Sequence, residues 1–262
     1  ATWTQQGNRI IGTGYSGSSR QGYSCSLSAD GNTLAVGGYG DNGNNGAMWV
    51  FTRNSSVWTQ QGTKLIGTGN SGTSRQGFSC SLSSDGNTLA VGGYLDNSNT
   101  GATWIFTQNS SVWTQQGSKL VGTGASGSIT SQQGISCSLS ANGNTLAVGG
   151  SRDKDNIGAT WIFTRLGTSW MQQNNKLVGT GNIGISAQGL SCSLSADGNT
   201  LAVGGASDGG NVGATWIFTR SGNSPIWTQQ GSKLVGSGSV STSSQGISCS
   251  LSADGNELAV GG

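Results

Sequence analysis

Gln21-Gly22-Tyr23-Ser24-Cys25-Ser26-Leu27-Ser28-Ala29-Asp30-Gly31-Asn32-Thr33-Leu34-Ala35-Val36-Gly37-Gly38 decides how the chain is read. From Tyr23 to Ser28 apolar and small polar residues alternate, which is the period of a β-strand with one greasy face and one small polar face. Asp30-Gly31 supplies the residue types that tight hairpin turns favour, because both tolerate positive φ. Thr33 to Gly38 then reads as a second strand. Beyond a polar loop, Asp41 to Gly46, the run Ala47-Met48-Trp49-Val50-Phe51-Thr52 is rich in β-branched and aromatic residues and reads as a third. The fourth is Trp58 to Gln61, continuing to Lys64-Leu65-Ile66-Gly67. Nothing in the unit has the period of a helix.

The same unit recurs along the chain. Trp3, Trp58, Trp113, Trp170 and Trp227 open successive copies at spacings of 55, 55, 57 and 57 residues, and Cys25, Cys80, Cys137, Cys192 and Cys249 follow at 55, 57, 55 and 57. The units are 3–57, 58–112, 113–169, 170–226 and a partial 227–262, within one domain spanning 1–262. Four short antiparallel strands in a repeat of about 55 residues are the pattern of a β-propeller blade. A β-solenoid has shorter rungs of about 20 to 30 residues, and an immunoglobulin-like sandwich needs about 100 residues around one Cys–Trp–Cys set. The expected fold is therefore all-β, a β-propeller of five four-stranded antiparallel blades. The last blade is incomplete, lacks its third strand, and is closed by the N-terminal strand Trp3 to Ile11. Trp49, Trp104, Trp161 and Trp216 mark the third strand, and the fifth unit has no counterpart. Three explanations of that gap stand side by side: a longer protein of which this is part, a strand supplied by another chain, or a three-stranded blade that closes loosely.

These residues resemble the FG-GAP repeat, the blade unit of integrin α-subunit propellers and of many bacterial surface and secreted proteins. Gln21-Gly22, Gln76-Gly77, Gln133-Gly134, Gln188-Gly189 and Gln245-Gly246 stand where that family has Phe-Gly. Gly101-Ala102-Thr103-Trp104-Ile105-Phe106 is similar to its Gly-x-Val-Tyr-Val-Phe strand. The resemblance covers essentially the whole chain and implies a propeller used for binding or adhesion. Calcium-binding members carry several carboxylates between the first two strands. Here Ser-Ala-Asp-Gly-Asn-Thr carries one, and Asn142 replaces it in the third unit. Hard cations want six or more oxygens, so Asp30, Asp85, Asp197 and Asp254 read as turn formers, with no metal and no cofactor expected.

Composition narrows the function classes. The chain has 48 Gly in 262 residues, no His, and Glu257 as its single Glu. A Ser–His–Asp or Cys–His nucleophile system is thereby absent, and the expectation is that the protein is not an enzyme. Twelve basic and ten acidic residues are scattered singly, which excludes the basic footprint of a nucleic-acid binder. No apolar run reaches the about 18 residues of a membrane span. The start Ala1-Thr2-Trp3 has no signal-peptide pattern, and a processed product, secreted or at the cell surface, is expected. The equivalent cysteines are expected on neighbouring inner strands, too far apart to bridge, and read as small buried hydrophobes. Gly12 to Gly17 and its three equivalents fit G-x-G-x-x-G, but no helix follows to receive a phosphate.

Two sets of residues are candidate ligand sites. Trp3, Trp58, Trp113, Trp170 and Trp227, followed by amides, would stack and hydrogen-bond sugars if exposed. The loops after Gly-Gly each keep an Asp, with Asn beside it in the first two, so Asp41, Asn42, Asp96, Asn97, Asp153 and Asp208 are candidates for a shallow polar site. The expected function is a non-catalytic binding or adhesion module presenting repeated, lectin-like sites to a glycan or protein ligand. The alternative is a self-assembling structural building block of an extracellular fibre or layer. In either case self-association through the incomplete blade is expected.

Overall fold

The computed structural model describes residues 2–222, 224–238 and 242–262. It consists of repeated antiparallel sheets laid side by side. The first sheet holds β1 (Ser24–Leu27), β2 (Thr33–Gly38), β3 (Ala47–Asn54) and β4 (Val57–Gln60), in that order. The second holds β5 (Ser79–Leu82), β6 (Thr88–Gly93), β7 (Ala102–Asn109) and β8 (Val112–Gln115). The third holds β9 (Ser136–Leu139), β10 (Thr145–Gly150), β11 (Ala159–Leu166) and β12 (Ser169–Gln172). The fourth holds β13 (Ser191–Leu194), β14 (Thr200–Gly205), β15 (Ala214–Thr219) and β16 (Thr228–Gln229). A two-stranded sheet, β17 (Ser248–Leu251) and β18 (Leu258–Gly261), ends the series. The all-β, blade-repeat reading thus holds, with strand positions close to those expected. The loops after β2, β6, β10 and β14 add four-residue helical turns, the first at Asp41–Asn44, which the strand periodicity did not foresee.

Alternation along each inner strand sorts the residues into two faces. Leu82, Leu89, Val91, Trp104 and Phe106 of the second sheet pack against Ala35, Met48 and Val50 of the first. The third and fourth sheets repeat this against Ala90 and Ile105, and against Ala147 and Ile162. Each sheet therefore turns a Leu, Val, Trp and Phe face towards the preceding sheet and an Ala and Ile face, Ala, Met and Val in the first sheet, towards the following one. The buried tryptophans Trp49, Trp104, Trp161 and Trp216 each donate Nε1–H to a backbone carbonyl, that of Thr13, Thr68, Thr123 and Thr180, at 2.8 Å. A Cβ on Gly67 would lie 2.1 Å from Trp104 Cδ1, so the first glycine of the G-x-G-x-x-G stretch is there to let this indole in.

Closure by an N-terminal strand is not observed. Residues 2–11 form no strand, and Trp3 is 98% exposed. They run beside the first sheet, where Gln6 Oε1 accepts from Arg53 Nη1 at 3.3 Å. Among the described residues, β17 makes no hydrogen bond to β1. As a result Leu27 is 55% exposed, whereas its equivalents Leu82, Leu139 and Leu194 are each 7% exposed. The inner strands form an open series, and the blade count of a closed ring is not fixed by it.

Candidate functional site

Where β2 ends and β1 begins, the first two blades depart from the others. Arg20 and Arg75 occupy a left-handed backbone position, φ 53° and 55°, and Gln132, Ala187 and Ser244 hold the same conformation in the later blades. This position forms the turn that leads into the inner strand, as in the bond from Phe78 N–H to Arg75 O at 3.2 Å. The scaffold accepts Gln, Ala or Ser here, so the fold does not require the two arginines.

The arginines are paired with aromatics that are also confined to these blades. Tyr39 follows Gly38 and Tyr94 follows Gly93, whereas Ser151 and Ala206 stand at those positions in the third and fourth blades. Arg20 Nη1 donates to the Tyr39 hydroxyl and Arg75 Nη1 to that of Tyr94. The Arg75 guanidinium carbon also lies 5.4 Å from the Tyr39 ring centroid and 5.6 Å from that of Tyr94, with Arg20 5.1 Å from Tyr39, within cation–π range. Tyr23 and Phe78 complete the cluster, Tyr23 with its ring 4.6 Å from both Tyr39 and Phe78, and Phe78 4.4 Å from Tyr94. Burial, and then the neighbouring phenols Tyr39 and Tyr94, raise the Tyr23 pKa above its usual value against the opposing pull of Arg75. Tyr23 is 52% exposed and Arg20 is exposed, so the cluster is open to solvent on that side. Arg75 Nε is buried and has no hydrogen-bond partner. The arrangement offers two positive charges and flat apolar faces to a small polar ligand carrying, or developing, negative charge.

The residues expected to bind ligand lie elsewhere. Asp41, Asp96, Asp153 and Asp208 are buried, and each is taken up twice. Oδ1 accepts a backbone N–H, from Ser16, Ser71, Ser126 and Ile183, at 2.7 to 2.9 Å. Oδ2 pairs with Lys64, Lys119, Lys176 and Lys233. These carboxylates fasten the blade-to-blade connection. Asn42 and Asn97 are exposed at φ 48° within the helical turns, where Lys154 and Gly209 serve equally. Trp58, Trp113, Trp170 and Trp227 are half-buried against their sheets. Trp113, Trp170 and Trp227 donate Nε1–H to Gln61, Gln116 and Gln173 of the preceding blade at 2.8 to 3.1 Å. Arg53, Arg165 and Arg220 cover Trp58, Trp170 and Trp227 at 4.9 to 5.5 Å. Trp3 stands alone in solvent. The structure does not gather these tryptophans and the Asp loops into one site. The Arg–Tyr cluster was missed by repeat-based reading because it lies in the departures from the repeat, and those departures are its signal.

No family model matches the chain, and no curated protein matches it. Solved structures do. A putative 6-phosphogluconolactonase from Bacteroides uniformis is 12% identical with a TM-score of 0.56, over 84% of this chain and 55% of that one. The periplasmic gluconolactonase of Pseudomonas aeruginosa is 17% identical with a TM-score of 0.58, over 90% of this chain and 64% of that one. The chain thus spans little more than half to two thirds of their length. The likeness is one of fold. The expectation of a non-enzymatic adhesion or lectin-like module, or of a structural building block, is not borne out, since these two neighbours of similar fold are named as lactonases. The expectation rested on the missing His and catalytic triads, a test that addresses only some hydrolytic chemistries.

Proposed function

We propose that the protein opens sugar lactones, with the Arg20–Tyr39–Arg75–Tyr94 cluster as the substrate site. The observation that carries this reading is the confinement of the arginines and their aromatic partners to two blades of an otherwise uniform repeat. The names of the two structural neighbours supply the substrate class. A lactone ring packs against the exposed ring of Tyr23, with its carbonyl towards the exposed Arg20 guanidinium, while Tyr39 is buried beneath and holds the arginines in place. Water adds to the carbonyl carbon, and the negative charge that develops on the carbonyl oxygen is held by preplaced cations in a partly dry site. Collapse breaks the ring C–O bond, the departing alkoxide takes a proton, and the product acid ionises and releases one to solvent. Lactones open unaided in water, so electrostatic stabilisation of the oxyanion gives acceleration without a histidine base.

The proposal extends to a secreted or periplasmic location, with which the periplasmic neighbour is compatible, and to blades of the FG-GAP type, which rests on the Gln-Gly and Ala-Thr-Trp-Ile-Phe stretches. Among the described residues no helix is long and apolar enough to cross a membrane.

Proton release from glucono-δ-lactone, followed at constant pH, tests the reading. The chain is expected to exceed the spontaneous rate. The double variant R20Q/R75Q, which installs the residue that the third blade carries at this turn, is expected to lose most of that excess while keeping its circular dichroism. A wild-type rate equal to the spontaneous one, or an unchanged rate in the double variant, would overturn it.

A further inference from the structure

Asn54-Ser55-Ser56 and Asn109-Ser110-Ser111 are the two places in the sequence where an Asn is followed, two residues on, by Ser or Thr. Both occupy the same structural position, the tip of the hairpin between the third and fourth strands of a blade. Asn54 pairs with Val57 across the end of β3 and β4, and Asn109 with Val112 across the end of β7 and β8. The Asn and both serines are exposed in each copy.

The turn itself does not call for these residues. Ser55 and Ser56 stand at φ 47° and 71°, and Ser110 and Ser111 at 48° and 67°. Two left-handed positions in succession are what Asn-Gly or Gly-Gly suits best, and a side chain there is strained. The third blade makes the same connection through Leu166-Gly167-Thr168, where Gly167 takes the positive φ, at 63°, and Thr168 does not. The serines are thus kept at a conformational cost that the fold avoids one blade later.

The two amide groups are also free to react. Asn54 Oδ1 accepts from Ser55 Oγ at 3.2 Å and Asn109 Oδ1 from Ser110 Oγ at 3.3 Å, while among the described residues neither Nδ2 has a partner. Elsewhere the amide nitrogens are engaged, those of Asn32 and Asn87 by Asp30 and Asp85, and that of Asn174 by Pro225 O. The tips lie clear of the Arg–Tyr cluster. Tyr39 follows Gly38, which pairs with Ala47 at the start of β3, whereas Asn54 ends that strand, about 23 Å away at the rise of an extended chain. A bulky group on either Asn leaves the substrate site open and covers the exposed Val57 and Val112 beside it.

We infer that Asn54 and Asn109 are acceptor sites for N-linked oligosaccharide, with Ser56 and Ser111 supplying the hydroxyl that the transfer needs at the third position. The donor class is an oligosaccharide carried on a lipid diphosphate. Asn Nδ2 forms a bond to the anomeric carbon, the bond from that carbon to the diphosphate oxygen breaks, the lipid diphosphate leaves with the electron pair, and the amide gives up one proton. The inference rests on the secreted reading of the location and not on the lactone site.

Peptide mass spectrometry tests it in two arms. In protein purified from the cells that make it, the peptides carrying Asn54 and Asn109 are expected to lose a glycan to peptide N-glycosidase, each leaving Asp labelled from heavy-oxygen water. In protein routed through a eukaryotic secretory host, S56A and S111A are each expected to lose one glycan and the double variant both. S55A and S110A change the same turns without touching the third position and are expected to keep theirs. Native protein that is unmodified while the secretory host glycosylates it overturns the inference through the location it rests on. Secreted host protein without glycan, or a glycan that survives S56A and S111A, overturns the acceptor sites themselves.

Discussion

Lys176 reaches the buried carboxylate of Asp153 across the loop between blades, and the pair is repeated by Lys64–Asp41, Lys119–Asp96 and Lys233–Asp208. The Lys side chains keep 13 to 21% of their surface, while the Asp side chains keep 3% at most. Deleting the cation leaves an uncompensated charge in the interior, which costs more than the pair itself contributes. K176M is therefore expected to destabilise the protein by about 3 kcal/mol, and the double change K176M/D153N by clearly less. Urea unfolding of the set checks this, and equal losses in the single and double variants would refute it.

Thr103, Thr160 and Thr215 are buried with hydroxyl oxygens that have no hydrogen-bond partner, and the first blade carries Met48 at the equivalent position. A buried hydroxyl without a partner costs its desolvation. Replacing Thr103 by Val keeps the shape and removes that cost, so T103V is expected to match or exceed wild-type stability. A loss of more than about 1 kcal/mol, the usual net worth of one hydrogen bond, would show that the hydroxyl is satisfied in solution.

The Asp turns impose a pH dependence. Hydrogen bonds from Ser28, and then Asn32, hold Asp30 below the ordinary 3.8, and Ser252 with Asn256 does the same for Asp254. At Asp85 and Asp197 burial pushes the other way and is outweighed by bonds from Ser83 and Asn87, and from Ser195 and Asn199. A folded pKa below the unfolded one contributes stability that is fully present above the unfolded value and is lost as pH falls through the folded value. Stability is thus expected to be flat above this range and to fall below pH 3.8. Asn142 makes the same bonds without a titrating group, accepting from Ser140 Oγ at 2.8 Å and from Asn144 N–H at 2.9 Å. The variant D85N should therefore shrink the acid-induced loss, and an unchanged acid profile would refute the assignment.

The blade was legible because its signals are local and repeated. The alternation of Tyr23 to Ser28, the Asp30-Gly31 turn and the aromatic strand at Trp49 each specify a strand or turn on their own, and five copies in order leave little else. The same repetition hid the roles of individual residues. Asp41 looks like a solvated loop carboxylate until the fold brings Lys64 to it from 23 positions away, and Trp113 looks like a free platform until Gln61 of the preceding blade accepts its indole N–H. Those partners belong to a neighbouring blade, so no pattern within one unit shows them. The Arg20–Tyr39 and Arg75–Tyr94 pairs were in plain view as differences between copies, but their meeting depends on the left-handed turn at Arg20 and Arg75, which period-2 alternation does not encode. Closure of the ring depends on the small rotation between sheets, a quantity that strand patterns do not carry.

The open first face is tested most directly by its cysteine. Burial pushes the thiols of Cys80 and Cys137 up to about 12, against hydroxyls of Ser24 and Ser79 that pull them down, and Cys192 and Cys249 are raised by the same cause. Reaction with an alkylating agent goes through the thiolate and needs access. Cys25 is the one exposed thiol among the five. Alkylation of the dilute native protein, resolved residue by residue by peptide mass spectrometry, should label Cys25 first and leave the other four protected until unfolding. Protection of Cys25 equal to that of Cys80 in the dilute monomer would show a ring closed on itself and would contradict the open series of blades described here.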